Sequence, residues 1–142
     1  MFTQTQIASQ VAQTLPRKSD RYEKDYIMKF AVYQITLSKA DRTEVNAGGM
    51  NAKFSAQNKM MMDFAGDRIG GLASDAFDAG LYTHVANITA EDYNDCFEVG
   101  NIGPESSIER LARMSSLSVG DVIVHEDGTV AVVAPMGFVA FS

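Results

Sequence analysis

The sequence predicts an α+β fold with a small mixed or antiparallel sheet, helices on its faces and a C-terminal β-hairpin. Three observations predict it. Residues 26–37 and 81–88 are rich in β-branched and aromatic side chains, which favour strands. Helical segments, in which apolar residues recur three and four positions apart, lie around these strands. Two short β-branched runs flank Asp127-Gly128 near the end of the chain, which is a strong hairpin signal.

The first 25 residues are predicted to form a helical arm and a charged linker within a single domain of residues 1–142. Residues 3–15 have the helical spacing, and Pro16 ends the helix. Its apolar stripe is narrow and consists of Ile7, Val11 and Leu15. A narrow stripe suits the edge of a domain or a contact with another chain, so these three residues are the candidates for self-association.

The strand at residues 26–37 has apolar side chains on both faces, which predicts a central strand covered on both sides. Ser38 and Asp41 form a capping-box pattern that opens a helix to Asn46. A second helix is predicted over 54–64, capped by Ser55. We interpret Met60, Met61, Met62 and Phe64 as core residues of this helix, with an adaptable binding surface as the alternative.

The middle of the chain is divided by glycines. Gly70-Gly71 is predicted to break the chain before a helix over 72–79, and Gly80 to follow that helix. In the next strand, Tyr82, His84 and Ala86 are expected on one face. Thr89 is the expected cap of the following helix, which Gly100 ends. A short helix is then predicted over 104–114, with proline near its start.

The C-terminal hairpin joins residues 122–124 to 130–133. A type I′ turn is expected at Asp127-Gly128, because Asp-Gly is a preferred pair for the positive φ angles of that turn. Gly120 and Gly137 mark bends, and a final short strand is predicted at residues 138–141.

These terminal motifs carry a resemblance. The segment Ser118-Val119-Gly120-Asp121-Val122-Ile123, the later Asp127-Gly128 and the closing Gly137-Phe138 resemble the tails of small proteins from phages, plasmids and other mobile elements. A second match is Tyr82-Thr83-His84-Val85-Ala86 with the acidic segment that follows. The resemblance covers roughly residues 77–141. It implies a mobile-element origin and supplies no catalytic residues.

The chain lacks the residue patterns that most enzymes and metal sites need. Its single cysteine, Cys96, excludes an internal disulfide and is expected to be buried. His84 and His125 are isolated from each other and from Cys96, so no zinc-ligand spacing occurs. We therefore expect no catalytic residue, metal or cofactor. The absence of a signal-peptide pattern or a long apolar run predicts a host cytoplasmic protein without membrane contact, or alternatively a virion protein.

The two parts of the chain carry opposite charge. Residues 1–62 hold nine Lys/Arg and five Asp/Glu, a net charge of +4, whereas residues 63–142 hold three and thirteen, a net charge of −10. An acidic surface attracts a basic partner. The candidate partner-binding residues are Asp75, Asp78, Glu91, Asp92, Asp95 and Glu98.

These observations favour a non-enzymatic mobile-element protein that binds and inhibits a host protein with a basic surface. The alternative is a virion structural or assembly protein that forms homo-oligomers. A third hypothesis is a nucleic-acid-binding regulator, which ranks last because residues 118–142 contain no Lys or Arg to neutralise phosphates.

Overall fold

The computed structural model describes residues 28–141. The predicted helix 3–15, the linker 17–25 and the candidate self-association residues Ile7, Val11 and Leu15 lie outside this range. The described elements, in chain order, are β1 (Met28–Gln34), α1 (Lys39–Asn46), α2 (Ala52–Met61), α3 (Ile69–Asp78), β2 (Thr83–Ala90), α4 (Tyr93–Ile102), β3 (Ile108–Arg110), β4 (Val122–His125), β5 (Val130–Val133) and β6 (Phe138–Ala140). No helix in this range is long and apolar enough to cross a membrane.

The six strands form one sheet in the order β3-β2-β1-β4-β5-β6. All five neighbouring pairs are antiparallel, which confirms the α+β class and selects the antiparallel alternative. Strand β1 lies between β2 and β4, so the prediction of a central strand is confirmed. Because β4, β5 and β6 pair in succession, the C-terminal unit is a three-stranded meander that contains the predicted hairpin.

Helices cover both faces of the sheet, as predicted. On one face, Phe30, Val32 and Ile123 pack with the buried side of α4, which supplies Tyr93 and Cys96. On the other face, the buried side of α3 packs against Val122 and Val132. The buried aliphatic and aromatic side chains of these two layers supply the hydrophobic stabilisation of the fold, about 25 cal/mol for each Å² of apolar surface removed from water.

An irregularity between β1 and β2 changes the predicted side-chain directions. Val32 pairs with Ala86, but the next residue, Tyr33, pairs with His84, so Val85 is an extra residue in β2. A bulge of this kind shifts the alternation of side chains by one position. His84 therefore lies on the α3 face beside Tyr33, whereas Ala86 lies in the α4 core. The prediction that His84 and Ala86 share a face is wrong.

Two helices begin earlier than predicted. The side chain of Asn51 accepts a hydrogen bond from the Phe54 amide at 2.9 Å, so Asn51 rather than Ser55 caps α2. Helix α3 begins at Ile69 and contains Gly70 and Gly71, which were expected to break the chain. Gly70 is buried, so tertiary packing outweighs the low helix propensity of glycine here. The predicted capping box of α1 and the positive φ of Gly80 are confirmed.

The boundary between β2 and α4 also differs from the prediction. Strand β2 continues through Thr89 to Ala90, since residues 88–90 pair with β1. Asp92 takes the capping role that Thr89 was expected to have, and its carboxylate accepts the Asp95 amide at 2.7 Å. The helix then runs past Gly100 to Ile102. Cross-strand pairing extends the strand at the expense of the helix.

The predicted helix over 104–114 is absent. Residues Glu105–Ser107 form one 3₁₀ turn, and Ile108–Arg110 form the short edge strand β3. Ile108 pairs with Ile88 and Arg110 pairs with Ala86. Tertiary pairing with the exposed edge of β2 therefore decides the structure of a segment whose local pattern favours a helix.

The hairpin forms, but its turn is not type I′. Gly128 has a φ of 93°, whereas no residue other than glycine has a positive φ among residues 28–141. The Gly128 amide donates to the His125 carbonyl at 2.8 Å, and the His125 amide donates to the Thr129 carbonyl at 2.9 Å. This longer connection needs only one left-handed residue, which the glycine supplies.

Substituting alanine for each of two helical glycines is expected to change the stability of the protein in opposite directions. A Cβ at Gly100 would lie 2.7 Å from Leu117 Cδ1 and 2.8 Å from Leu117 Cγ. A Cβ at Gly71 would meet no atom within 4 Å. We expect Gly100→Ala to destabilise the protein by about 1–3 kcal/mol, since overpacking forces the core to shift. We expect Gly71→Ala to stabilise it by about 0.5–1 kcal/mol, since alanine lowers the entropy of the unfolded chain.

Urea unfolding followed by circular dichroism measures both variants against the natural chain. Gly71→Ala is the matched control, because both substitutions add the same methyl group to a helix. A stabilising effect at Gly100 would show that α4 does not lie as close to Leu117 as described.

Candidate functional site

The six acidic candidates do not form one surface. Asp75 and Asp78 are exposed on α3, three positions apart and therefore on the same side of that helix. Glu91, Asp92, Asp95 and Glu98 lie at the start of α4 or within it. Helices α3 and α4 pack on opposite faces of the sheet. The structure thus divides the predicted acidic surface into an α3 group and an α4 group.

The α4 group takes part in the structure of its own helix. Asp92 caps α4, and the Asp95 carboxylate accepts the Glu91 amide at 3.0 Å. These reciprocal bonds satisfy backbone donors that the first turn of a helix leaves without partners. Substituting Asp92 or Asp95 would therefore change the stability of α4 as well as its charge.

Exposed apolar side chains also occur in the connection that leads into α3. Met61, Met62 and Phe64 lie at the end of α2 and in the connection to α3, and Phe64 is 76% exposed. Exposed Asp67 follows in the same connection. We call Met61, Met62, Phe64 and Asp67 the α2–α3 corner. Met60 is buried, so the interpretation of these residues as core is confirmed for Met60 and wrong for Met61, Met62 and Phe64.

A groove with two arginines lies between the end of β1 and the segment before β4. Arg42 of α1 and Arg113 line it together with the polar side chains of Gln57 and Ser115. Its volume is about 410 Å³. No aspartate or glutamate of residues 28–141 lines it. We call this feature the arginine groove.

A buried hydrogen-bond network supports one wall of the arginine groove. The amide nitrogen of Gln34 donates to the Ser115 carbonyl and to the Asp121 carboxylate, each at 3.0 Å. The Gln34 side-chain oxygen accepts the Ser115 amide at 3.1 Å. The Ser118 amide donates to the same Asp121 oxygen at 2.9 Å. Gln34 thereby ties residues 113–115 to the central strand.

Asp121 is the most unusual titratable group of this network. Its side chain is buried, with 8% of the residue exposed. Burial raises the pKa of Asp121 to about 7, and the hydrogen bonds from Ser118 and Gln34 oppose that rise only in part. A carboxyl group with this pKa changes its charge near neutral pH. Asp121 would do so directly behind Gln34, which forms one wall of the arginine groove.

The remaining candidates for chemistry are buried or are held by neighbouring side chains. Cys96 is fully buried, as expected, and burial raises the pKa of its thiol, which disfavours a reactive thiolate. His84 stacks on Tyr33, and its Nε2 lies 2.8 Å from the Asn87 amide oxygen. His125 is buried against Phe30. In the part of the chain described, no three His, Cys, Asp or Glu residues cluster as metal ligands would.

Sequence reasoning identified none of the groove residues. Gln34 carried a usable signal, since it and Lys29 are the two polar residues, tyrosine aside, of a strand otherwise rich in apolar side chains. No local sequence pattern indicates that Arg42 and Arg113 line the same groove. They are 71 positions apart in the sequence, and only the folded sheet brings them together.

No protein-family model, curated protein or solved structure matches this chain. The functional argument therefore rests on the residues themselves.

Proposed function

We propose that this chain is a non-enzymatic accessory protein of a phage or a similar mobile element, and that it binds and inhibits a host protein through that protein's basic surface. The binding surface is the α2–α3 corner with Asp75 and Asp78. The observation that carries the proposal is the exposure of three large apolar side chains within four positions, Met61, Met62 and Phe64, followed in the same connection by the exposed carboxylate of Asp67.

The apolar part of the surface supports a protein partner. Isolated exposed apolar residues are ordinary, but a group rimmed by polar residues is typical of an interaction site. Methionine and phenylalanine are enriched in interface cores, and methionine adapts to the shape of a partner. Phe64 is the natural anchor, since aromatic side chains provide much of the binding energy in small interfaces.

The charged part of the surface supports a basic partner. Asp67, Asp75 and Asp78 are exposed, and residues 63–109 hold ten acids and one base, Arg68. Complementary charge raises association rates and excludes acidic partners. The overall net charge of −6 acts in the same direction at longer range.

The test compares binding to a host-like bacterial lysate by immobilised full-length protein and its variants, with mass spectrometry of the bound fraction. We expect a dominant basic protein, released when salt is raised above about 0.5 M because ionic screening shortens to a few Å. Phe64→Ala is expected to weaken its binding about tenfold or more, which is typical of losing an interface anchor. The double variant Asp75→Asn/Asp78→Asn is expected to weaken it mainly through slower association.

Two matched controls separate this surface from general effects. Ile102→Ala also removes a highly exposed apolar side chain, at the end of α4 on the opposite face of the sheet from α3, and Glu126→Gln also removes an exposed acid, in the connection between β4 and β5. Neither is expected to change binding. Equal loss in the control variants, or unchanged binding by Phe64→Ala and the double aspartate variant, would contradict the proposed surface. Elution as a large homo-oligomer with no bound host protein would favour the virion assembly hypothesis instead.

A further inference from the structure

We propose that the arginine groove binds a small organic anion, with a phosphate or carboxylate group held between Arg42 and Arg113. This inference does not depend on the α2–α3 corner, which is built from other residues. It adds a small-molecule site to a protein whose sequence favours a protein partner.

The first argument is the charge of the groove. Residues 28–141 contain eight Lys/Arg and fifteen Asp/Glu, so an average patch of surface is acidic. Among residues 28–141, the arginine groove is lined by Arg42 and Arg113 and by no carboxylate. The charged side chains of its described lining are therefore all positive, and a concave shape concentrates the field of such charges.

The second argument is that both guanidinium groups remain available. The ion pairs found within residues 28–141 join Lys53 to Asp41, Arg110 to Glu105 and His125 to Asp127. Neither Arg42 nor Arg113 has an ion pair in this part of the chain. A guanidinium offers planar pairs of N–H donors that match the oxygens of phosphate and carboxylate groups. Because Arg42 and Arg113 both line the groove, each can donate to an oxyanion bound there.

The third argument is that the walls are held in place. Gln34 bonds to both the amide and the carbonyl of Ser115, which anchors the segment that carries Arg113. Gln57 donates to the Ile35 carbonyl at 3.4 Å, which joins α2 to the end of β1. A site whose walls are already fixed loses less entropy when a ligand binds.

The fourth argument is size and lining. A volume of about 410 Å³ lies within the range of small-molecule sites, roughly 300–1,000 Å³, and exceeds what a bare phosphate ion needs. Ile35, Leu37 and Met114 contribute apolar surface beside the arginines. This combination fits a molecule with an anionic head and an apolar or aromatic body.

The experiment is a titration of the isotope-labelled full chain, followed by two-dimensional NMR, with phenyl phosphate and, separately, benzoate. Sodium chloride keeps the ionic strength constant. We expect saturable shifts of the side-chain signals of Arg42, Arg113 and Gln57 with at least one probe. Saturation by phenyl phosphate alone identifies a phosphate ligand, saturation by benzoate alone identifies a carboxylate, and saturation by both supports the shared chemistry.

Variants separate a built site from general ion binding. Arg42→Gln and Arg113→Gln are each expected to weaken binding about tenfold or more, because each removes charge-assisted hydrogen bonds. Lys39→Gln is the matched control, since it removes an exposed positive charge from the same helix as Arg42 but lies outside the groove. The spectrum of each variant also reports whether it is folded. Absence of saturation with both probes, or equal weakening by Lys39→Gln, would overturn the proposal.

Discussion

Phe30→Ala is expected to lower the free energy of unfolding by about 3–5 kcal/mol, the range for removing a buried aromatic side chain and leaving a cavity. Phe30 is 1% exposed in the centre of the sheet. Its ring centroid lies 5.2 Å from that of Tyr93 and 4.9 Å from that of His125. The substitution therefore removes packing between β1, β4 and α4 at once. Because small domains have a total stability of about 5–15 kcal/mol, this single change approaches global unfolding.

Urea unfolding followed by circular dichroism at 222 nm measures the effect, since the chain contains no tryptophan for fluorescence. Phe64→Ala is the matched control, because it removes the same side chain where 76% of the residue is exposed. We expect it to change the stability by no more than about 0.5 kcal/mol. Similar losses in the two variants would show that the α4 face of the sheet is not the core described.

Raising the pH from about 4 to about 8 is expected to remove up to about 4 kcal/mol of stability through Asp121 alone, at 1.36 kcal/mol for each unit by which the pKa differs. The pKa of Asp121 is about 7 in the folded protein, raised by burial from 3.8. The folded state thus binds this proton more tightly than the unfolded state. The stabilisation is complete below about pH 4 and is lost as the pH rises through 7.

Asp121→Asn tests this expectation, because asparagine keeps an acceptor oxygen for Gln34 and Ser118 but does not titrate. The stability of the variant is expected to exceed that of the natural chain increasingly between pH 4 and pH 8. Carboxyl groups whose pKa is lowered by folding, such as Asp127, affect stability at a lower pH than Asp121 does. They destabilise the protein as the pH falls, whereas Asp121 destabilises it as the pH rises. Asp67→Asn, the same substitution at an exposed position, is the matched control. Parallel profiles for the natural chain and Asp121→Asn would contradict the assignment.

The parts of the fold that the sequence predicts well depend on local physics. The Ser38 capping box needs only residues 38–41, and the C′ glycine after α3 needs only Gly80. The run of apolar residues on both faces of β1 also reports directly that both faces are covered. These features are predicted correctly because the residues that produce them lie within a few positions of one another along the chain.

The parts that it predicts wrongly depend on distant partners. Residues 108–110 form a strand because β2 offers them a free edge, although their local pattern favours a helix. Gly70 and Gly71 lie within α3 because that helix packs against the sheet. His84 changes face because of one extra residue, Val85, in the pairing of β1 with β2. None of these outcomes can be read from a local window.

The candidate sites also combine features that the sequence predicts with features that depend on the tertiary structure. Composition and charge distribution indicate an acidic protein, and the sequence locates its carboxylates. Only the packing of α3 and α4 on opposite faces separates those carboxylates into two groups. Only the fold exposes Phe64 while burying Met60.

The sequence by itself determined the α+β class, the central position of β1, the C-terminal hairpin and the burial of Cys96, because hydrophobic pattern and turn chemistry are local properties. The tertiary structure decided the antiparallel order of the six strands, the bulge at Val85 and the convergence of Arg42 with Arg113 on one groove. Those features arise from hydrogen bonds and packing between residues far apart in the chain, whose free energy outweighs local preference.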